Sequence, residues 1–179
     1  MTETEKYVRK HLQKELAEVQ SSAIAKVQNG LDIYEKVLIY FYTGEGYQSI
    51  NNEIRNSKKN NLSKIGSLLN KALDKLPSYT GLVHRTANLT NKEIVIYRKS
   101  LLGNIPITES TFVSTSKSPA IARLYPMWNV RFRIISKNGK NIEEISQMGV
   151  NNPPNEQEIL FGAGHSFQVL NVTEDSAKC

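Results

Sequence analysis

Residues 111–116 read Thr-Phe-Val-Ser-Thr-Ser, a short run in which apolar and β-branched residues are followed by hydroxyl side chains. Residues of these types favour strands. Because successive strand residues point to opposite faces, Ser114 and Ser116 are predicted to share one face, where they could hold a carboxylate or a backbone edge. A serine–threonine run can also cap a turn or a following helix, here at residues 118–120. By itself the run predicts a strand that ends in hydroxyl groups.

Two further signals lie on either side of this strand. Residues 82–85, Leu-Val-His-Arg, place Arg85 at the end of a predicted strand, and residues 156–161, Glu-Gln-Glu-Ile-Leu-Phe, place two carboxylates at the start of another. Since strand residues two apart point to the same side, about 6.5–7 Å apart, Glu156 and Glu158 are predicted to aim at one small volume. A guanidinium is a planar donor suited to phosphate. Taken singly, such residues more often form a surface ion pair or a solvated face.

The three signals together favour one kind of ligand. A guanidinium for phosphate, a strand that carries hydroxyls and two carboxylates suit a ligand that contains a pyrophosphate and a ribose. The sequence contains neither a Gly-x-Gly-x-x-Gly fingerprint nor a Walker-type loop. The phosphates are therefore not expected at a helix N-terminus, as they are in the usual dinucleotide site.

Apolar periodicity changes near Pro77. Before it, steps of three and four residues predict helices at residues 4–29, 31–42 (ending at Thr43-Gly44), 47–54 and 62–76, with a polar loop at 56–61. After it, the pattern predicts strands at 81–84, 111–115, 130–135, 158–161 and 166–172, and short helices at 90–100 and 118–125. Because apolar helix faces need a sheet to cover them, we predict one α+β domain over residues 1–179, helical to residue 76 and β-rich from residue 77.

Composition narrows the class of protein. The 179 residues include 23 basic and 17 acidic ones, a net charge of +6 that is spread evenly, so a nucleic-acid partner is not indicated. The longest apolar run, residues 37–42, is far too short to cross a membrane, and the charged residues 1–30 contain no cleavable signal peptide. Cys179 is the single cysteine, and the three histidines lack ligand spacing. We therefore expect neither an intrachain disulfide nor a metal site.

The ordered set of motifs resembles that of a known protein family. Arg85, the strand at residues 112–116 and Glu156-x-Glu158 resemble the Arg / Ser-Thr-Ser / Glu-x-Glu signature of bacterial mono-ADP-ribosyltransferase toxins, in the arginine-modifying, cholera-toxin-like clade. Residues 47–55, Tyr-Gln-Ser-Ile-Asn-Asn-Glu-Ile-Arg, resemble the Tyr-x-x-Ile-Asn helix of actin-modifying and related toxins. Glu-Ile-Leu-Phe at 158–161, followed by glycine and Phe-Gln-Val, resembles the end of that domain. The resemblance spans roughly residues 40–172 and rests on the ordered set of motifs.

The resemblance implies a role for each signature residue. Arg85 would contact the phosphates of NAD, and Ser114 would orient Glu158 by hydrogen bonding. Glu158 would bind the 2′-hydroxyl of the nicotinamide ribose and stabilise the oxocarbenium-like state as nicotinamide departs, because fixed negative charge helps where positive charge develops. Glu156 would engage the acceptor guanidinium and assist its deprotonation. In this family, enzymes with a glutamate at that position modify arginine side chains.

The resemblance also implies a wider NAD site, whose further members are Thr86, Thr115, Ser116, Tyr47, Asn51 and Arg123. Residues 117–128 fall where the family has a loop that touches phosphate and nicotinamide. Residues 149–155 fall where it has its acceptor-recognition turn.

Two positions depart from the family pattern, and three others could serve either ligand binding or packing. His84 precedes Arg85 where an aromatic residue is common, and Thr86 follows where glycine is frequent. Phe132 is one candidate for stacking on nicotinamide, with strand core as the alternative. Tyr47 and Asn51 could equally pack a short helix on the sheet.

The fold that the resemblance implies has two packed, mainly antiparallel sheets with an NAD cleft between them and N-terminal helices on one side. The implied reaction transfers ADP-ribose from NAD to an arginine of a target protein and needs no metal. A toxin or effector of this kind is expected to be secreted or injected and to act in the cytosol of a target cell. Actin, a small GTPase or another host or competitor protein are compatible acceptors, and an immunity or delivery partner stays open.

Other functions also stay open on the sequence. NAD hydrolysis, with water as acceptor, would use the same residues except Glu156 and its loop, and a relative of this fold could modify RNA. A glycoside hydrolase is disfavoured, because retaining enzymes place their carboxylates on opposite sides of a sugar and neighbours on one strand face do not. A basic binding module is disfavoured by the even charge and the single tryptophan, Trp128.

Overall fold

Apolar residues at helical spacing build the N-terminal part of the protein, whose computed structural model describes residues 1–57, 62–124 and 128–174. Thr2, Asp32 and Ser63 begin three of the helices, because their side chains accept hydrogen bonds from backbone N–H groups of the first turn. The helical elements in chain order are α1 (Glu3–His11), α2 (Gln13–Ser21), a 3₁₀-helix (Ala23–Lys26), α3 (Ile33–Phe41), a π-helical turn (Tyr42–Gly46), α4 (Tyr47–Asn56) and α5 (Lys64–Lys75). The helices predicted at 31–42, 47–54 and 62–76 are confirmed.

The prediction of one continuous helix over residues 4–29 is wrong. Leu12, with φ −130° and ψ 45°, leaves the helical region and separates α1 from α2, and a 3₁₀-helix follows Ser22. The break spans a single residue, so Val8, Leu12 and Leu16 still reach the same core. The apolar spacing reports that shared face and not the continuity of the backbone.

The end of the second predicted helix at Thr43-Gly44 coincides with a kink. Gly44 has φ −108° and ψ −109°, outside the helical region, and the chain turns there before α4 begins at Tyr47. The hydroxyl of Thr43 accepts a hydrogen bond from the backbone N–H of Gln147 at 2.9 Å. The kink is thus hydrogen-bonded to the segment around Gln147, which precedes the strand that begins at Glu158.

In the described ranges of the chain, six strands form two antiparallel sheets, which confirms the predicted mixed fold with antiparallel pairing. Four of them close into a barrel in the order β1-β3-β5-β4, and β2 pairs with β6. The remaining elements are β1 (Ser78–Ala87), α6 (Asn91–Gly103), β2 (Ile107–Glu109), β3 (Val113–Ser116), α7 (Pro119–Ala122), β4 (Val130–Asn141), β5 (Glu158–Phe161) and β6 (His165–Phe167).

The strand predictions fail where pairing partners decide the length. β1 and β4 run longer than predicted because they pair with each other along most of their length. The strand predicted at 166–172 is only three residues long, since its partner β2, which the sequence pattern did not predict, offers three residues. The helix predicted at 118–125 shortens to α7 among the described residues.

Strand β5 is buried on both faces. Leu160 packs into the core formed with the N-terminal helices and Phe112, whereas Ile159 and Phe161 pack with Val83 in a second cluster. This explains why residues 158–161 show no polar alternation after the glutamate. It also places Glu158 on the same face as Leu160, towards the helices.

Two predictions on organisation stay predictions. One is the single domain over residues 1–179. The other is the polar loop at 56–61, of which residues 58–61 lie outside the described part of the chain.

Leu160→Ala is expected to lower the free energy of unfolding by about 2–5 kcal/mol, because it opens a cavity between β5 and the helices. Urea denaturation measures the change. Leu102→Ala is the matched control, since Leu102 is 87% exposed and its truncation should change stability by less than about 0.5 kcal/mol. Equal stability losses in the two variants would contradict this account of the core.

Candidate active site

A series of hydrogen bonds joins the three signature elements. The guanidinium Nη1 of Arg85, on β1, donates to the carbonyl oxygen of Ser114 at 2.8 Å. The hydroxyl of Ser114, on β3, donates to Oε1 of Glu158 at 2.5 Å. The structure therefore brings residues distant in sequence into one continuous site, at the place where β1, β3 and β5 are neighbours.

The carboxyl group of Glu158 is held in an unusual environment. The residue is 5% exposed, and burial raises its pKa to about 7. Hydrogen bonds from Ser114 and Ser146 oppose the rise, whereas the nearby charge of Glu156 adds to it. Ser146 is fully buried, and its hydroxyl accepts from the N–H of Met148 at 3.0 Å. A carboxyl with a pKa near neutrality is poised for electrostatic or proton-transfer chemistry.

Glu156 reaches the site by a different route from the one predicted. β5 begins at Glu158, and Gln157 between the two glutamates has φ +53°, in the left-handed region. Strand alternation therefore does not align the two carboxylates, and the premise of a shared strand face is wrong. Instead the backbone of Glu156 is held on both sides: its N–H donates to Met148 O at 2.8 Å, and its carbonyl accepts the Ser116 hydroxyl at 2.7 Å.

A partly buried ion pair fixes the turn before Glu156. The carboxylate of Glu143 pairs with Lys117 and accepts from the Asn155 amide at 3.0 Å. Burial raises the pKa of Glu143, but the contacts with Lys117 and Asn155 outweigh it and hold the pKa below its ordinary value. At Gly149 a Cβ would lie 2.0 Å from the carbonyl oxygen of Glu143, so this close backbone contact requires glycine.

Thr115 and Ser116 bind the backbone of the neighbouring strand. Thr115 donates to the carbonyl of Ile159 at 2.7 Å, and the Ser116 hydroxyl, besides its bond to Glu156, accepts from the N–H of Ser118 at 3.0 Å. The two hydroxyls thus fix β3 against β5 and against the residues that directly precede β5. Their predicted role in NAD binding stays a prediction.

Asn51 connects helix α4 to β3. Its Oδ1 accepts from the N–H of Phe112 at 3.1 Å, and its Nδ2 donates to the hydroxyl of Tyr42 at 3.2 Å. Tyr42 is 2% exposed and packs on the Phe112 ring; burial raises the pKa of its hydroxyl, and the Glu158 carboxylate raises it further. Tyr47, in contrast, is half exposed and accepts a hydrogen bond from Gln48. Asn51 of α4 and Tyr42 of the preceding π-helical turn thus connect the helices to the site.

Thr86 lies on β1, and Arg123 directly follows helix α7, which packs against that strand. The Thr86 hydroxyl donates to the carbonyl of Ala122 at 2.6 Å, which positions α7 against β1. Arg123 follows α7 and is exposed, and its charge helps to lower the pKa of His84 after burial and Arg133. Of the predicted phosphate loop at 117–128, residues 125–127 lie outside the described residues.

The aromatic candidate Phe132 packs within the protein. Its ring lies 5.4 Å from that of Tyr97 on α6, and the Tyr97 hydroxyl donates to Glu109 at 2.9 Å. Phe132 is paired with Arg85 across β4 and β1. This contact agrees with Phe132 being part of the strand core, which is the alternative to stacking on nicotinamide.

Sequence reasoning missed Tyr42, Ser146 and the Glu143–Lys117 pair. Tyr42 ends an apolar run that predicts only core, and Ser146 and Glu143 belong to no motif. No local signal could have found them, because each acts through contacts with distant segments.

Two surface depressions, of about 210 and 430 Å3, lie near Ala163 and Gly164 and have none of Arg85, Ser114 and Glu158 in their walls. Within residues 1–57, 62–124 and 128–174, no cluster of three or more histidine, cysteine or acidic side chains is placed to hold a metal. None of the helices in that part of the chain combines the length and apolarity needed to cross a bilayer.

Comparison with known proteins agrees with the geometry. The family model described as ADP-ribosyltransferase exoenzyme matches residues 17–178. A curated relative from Mycobacterium avium (strain 104), provisionally named NAD(+)–arginine ADP-ribosyltransferase Mav, is 36% identical over 147 residues. The match covers 81% of this chain and 17% of the relative, so the chain spans a small part of that protein's length.

Solved structures share the fold at low identity. ADP-ribosyltransferase HopU1 of Pseudomonas syringae pv. Tomato DC3000 superposes with a TM-score of 0.65 at 22% identity, over 92% of this chain and 77% of that chain. Exoenzyme S from Pseudomonas aeruginosa, solved with human 14-3-3 protein beta and carba-NAD, gives 0.69 at 15% identity, over 97% and 81%. The architecture is therefore that of bacterial ADP-ribosyltransferases.

The chain belongs to the ADP-ribosyltransferase exoenzyme family. The family and fold class predicted from the sequence are thereby confirmed, and NAD is the substrate of enzymes of this class. The roles of the individual site residues stay predictions.

Glu158→Gln is expected to stabilise the fold at alkaline pH. The folded-state pKa of about 7 lies above the ordinary 4.5, so the unfolded chain loses this proton first and wild-type stability falls as pH rises between those values. Glutamine carries no charge to bury, so the melting temperature should rise above wild type at pH 8, by about 2–4 °C per kcal/mol relieved, and match it near pH 4. Calorimetry across pH measures this, with exposed Glu144→Gln as control. A difference that does not depend on pH would refute it.

Proposed function

We propose that the chain transfers ADP-ribose from NAD to an arginine guanidinium of a target protein and releases nicotinamide. The observation that carries the proposal is the continuous contact from Arg85 through Ser114 to the buried Glu158, with Glu156 on an adjoining turn. The name of the Mycobacterium avium relative and the carba-NAD bound to exoenzyme S support the donor and acceptor chemistry.

On the donor side, Arg85 would bind the pyrophosphate. A guanidinium has five N–H donors, and the bond to Ser114 O anchors one end of the group while its planar fork can present the others to phosphate oxygens. Arg123, exposed at the end of α7, would add a second positive charge. Both charges would hold the dinucleotide with its nicotinamide ribose next to Glu158.

The bond that breaks joins C1′ of the nicotinamide ribose to the pyridinium nitrogen. Both bonding electrons leave with nicotinamide, which departs neutral, and positive charge develops on the ribose. The ionised Glu158 would accept a hydrogen bond from the 2′-hydroxyl and stabilise that charge, at a site where burial strengthens the electrostatic interaction. The Ser114 hydroxyl would hold the carboxylate in its reactive orientation.

The acceptor step then forms a new bond from a guanidinium nitrogen to C1′. The attacking nitrogen must lose a proton, and Glu156 would hold the guanidinium and accept that proton. The turn that carries Glu156 is fixed by Glu143, Lys117 and Asn155, so the acceptor carboxylate has its own support, separate from the strand that carries Glu158.

Delivery to a target cell is part of the same proposal. The matching family is one of exoenzymes, and the exoenzyme S structure contains a human protein. We infer that this chain acts as a toxin or effector on a protein of another cell.

Activity is expected to fall as pH drops below about 7, because protonation removes the charge of Glu158. Ser114→Ala should move this acid limb to higher pH, since it removes a hydrogen bond that favours the ionised form. The pH dependence of NAD cleavage, followed as nicotinamide release, measures both effects. Exposed Ser21→Ala should leave the profile unchanged. An acid limb that stays in place in Ser114→Ala would show that this hydroxyl does not set the ionisation.

Glu156→Gln is expected to reduce transfer to arginine at least about 100-fold while nicotinamide release into water persists, because only the acceptor step needs its charge. Glu158→Gln should abolish both reactions. Labelled NAD with a small guanidine such as agmatine measures transfer, and nicotinamide release measures cleavage. Glu144→Gln, a neighbouring exposed glutamate, serves as control. Undiminished transfer by Glu156→Gln would overturn the assigned role.

A further inference from the structure

One face of the paired strands β1 and β4 carries basic and exposed apolar side chains. Neither strand contains an aspartate or glutamate. Register pairs Leu82 with Ile135, His84 with Arg133 and Thr86 with Arg131, and directly paired residues of antiparallel strands share one face. We call the side chains Leu82, His84, Arg131, Arg133 and Ile135 the β1–β4 basic face.

This face has positive charge around an exposed apolar centre. Leu82 is 42% and Ile135 is 65% exposed, and Arg131 and Arg133 are exposed beside them. His84 lies directly opposite Arg133 in the sheet, and burial, then the charges of Arg133 and Arg123, lower the pKa of His84.

Three of the basic groups on and near this face are Arg123, Arg133 and Lys137, and Lys137 is exposed two residues after Ile135 on β4. In the described part of the chain, the ion pairs involve none of Arg123, Arg133 and Lys137. A cluster of like charges next to exposed apolar side chains is the complement of an acidic partner with apolar side chains.

The sheet places this face beside the catalytic carboxylate. Glu158 pairs with Ser116, Ser116 pairs with His84, and His84 pairs with Arg133. These residues therefore lie in one row on one face of the sheet, and three strand spacings separate Arg133 from Glu158, about 14 Å. A residue a few positions from a modified arginine could span that distance in an extended peptide.

We propose that the β1–β4 basic face docks an acidic, leucine-containing segment of the acceptor protein next to the arginine that is modified. The inference rests on the proposed function. Carboxylates of the segment pair with Arg133 and with Lys137, which is exposed on β4 next to the face, and an apolar side chain packs on Leu82 and Ile135. The apolar centre favours a protein over a nucleic acid, and the Trp128 ring is already covered by the Arg131 guanidinium at 5.6 Å.

The test compares two synthetic acceptor peptides. Each contains a single arginine and a pair of leucines, flanked in one peptide by glutamates and in the other by glutamines. Wild type should modify the glutamate peptide at least about fivefold more efficiently, in kcat/KM. The preference should decline as salt rises from about 0.05 to 0.5 M. Arg133→Glu combined with Lys137→Glu should abolish or reverse it.

Transfer to agmatine separates this inference from the proposed function. The double variant should modify agmatine, and bind NAD, as wild type does, because neither position lies in the assigned site. Lys10→Glu with Lys99→Glu makes the same charge change at exposed positions elsewhere and should keep the peptide preference.

Several outcomes would overturn the inference. If wild type modifies agmatine but modifies both peptides equally well, the docking face is refuted and the proposed function is not. If the double variant has a raised KM for NAD, the face belongs to the donor site instead. Stronger competition by single-stranded oligouridylate than by polyglutamate makes it a nucleic-acid surface. Absence of wild-type transfer to any guanidine refutes the proposed function itself.

Discussion

The hydrogen bond from the Ser114 hydroxyl to the buried carboxyl of Glu158 is the contact on which the site depends. A carboxylate with so little exposure is costly to ionise, and burial raises its pKa to about 7. Donors aimed at its oxygens are what keep the charged form accessible near neutral pH. Ser114 supplies one donor from β3, and Ser146 supplies the other from the segment between β4 and β5.

Burial of Glu158 follows from the way β5 is used. The residues that follow Glu158 in β5 pack into two hydrophobic cores. Leu160 packs against the helices, and Ile159 packs inside the barrel. A strand in that position shifts little, so the carboxyl at its first residue is held at a fixed place. The arrangement exchanges some stability for a carboxyl that is already in position, as functional sites commonly do.

The left-handed Gln157 gives the two glutamates different environments. Glu158 is rigid and buried in the sheet, whereas Glu156 belongs to a turn that Glu143, Lys117 and Asn155 hold together. Two carboxylates with separate supports can perform separate steps, one at the donor ribose and one at the acceptor. The same sheet then continues from Glu158 through Ser116 and His84 to Arg133, so the donor site and the proposed acceptor surface share a single framework.

The sequence by itself determined the fold class, the family and the identity of the signature residues. Helices at 31–42, 47–54 and 62–76 and the strand at 158–161 follow from local apolar spacing, and the ordered motifs at 85, 114–116 and 156–158 point to one chemistry. The break at Leu12 and the three-residue β6 do not follow, since core packing tolerates the first and a short partner strand limits the second. Only the tertiary structure decided that Glu156 lies outside β5, that Ser146 hydrogen-bonds to Glu158 with Tyr42 nearby, and that Arg133 shares the sheet face of Glu158. These features depend on pairing between segments far apart in the chain, and a local pattern reports which side chains prefer burial without reporting what they meet there.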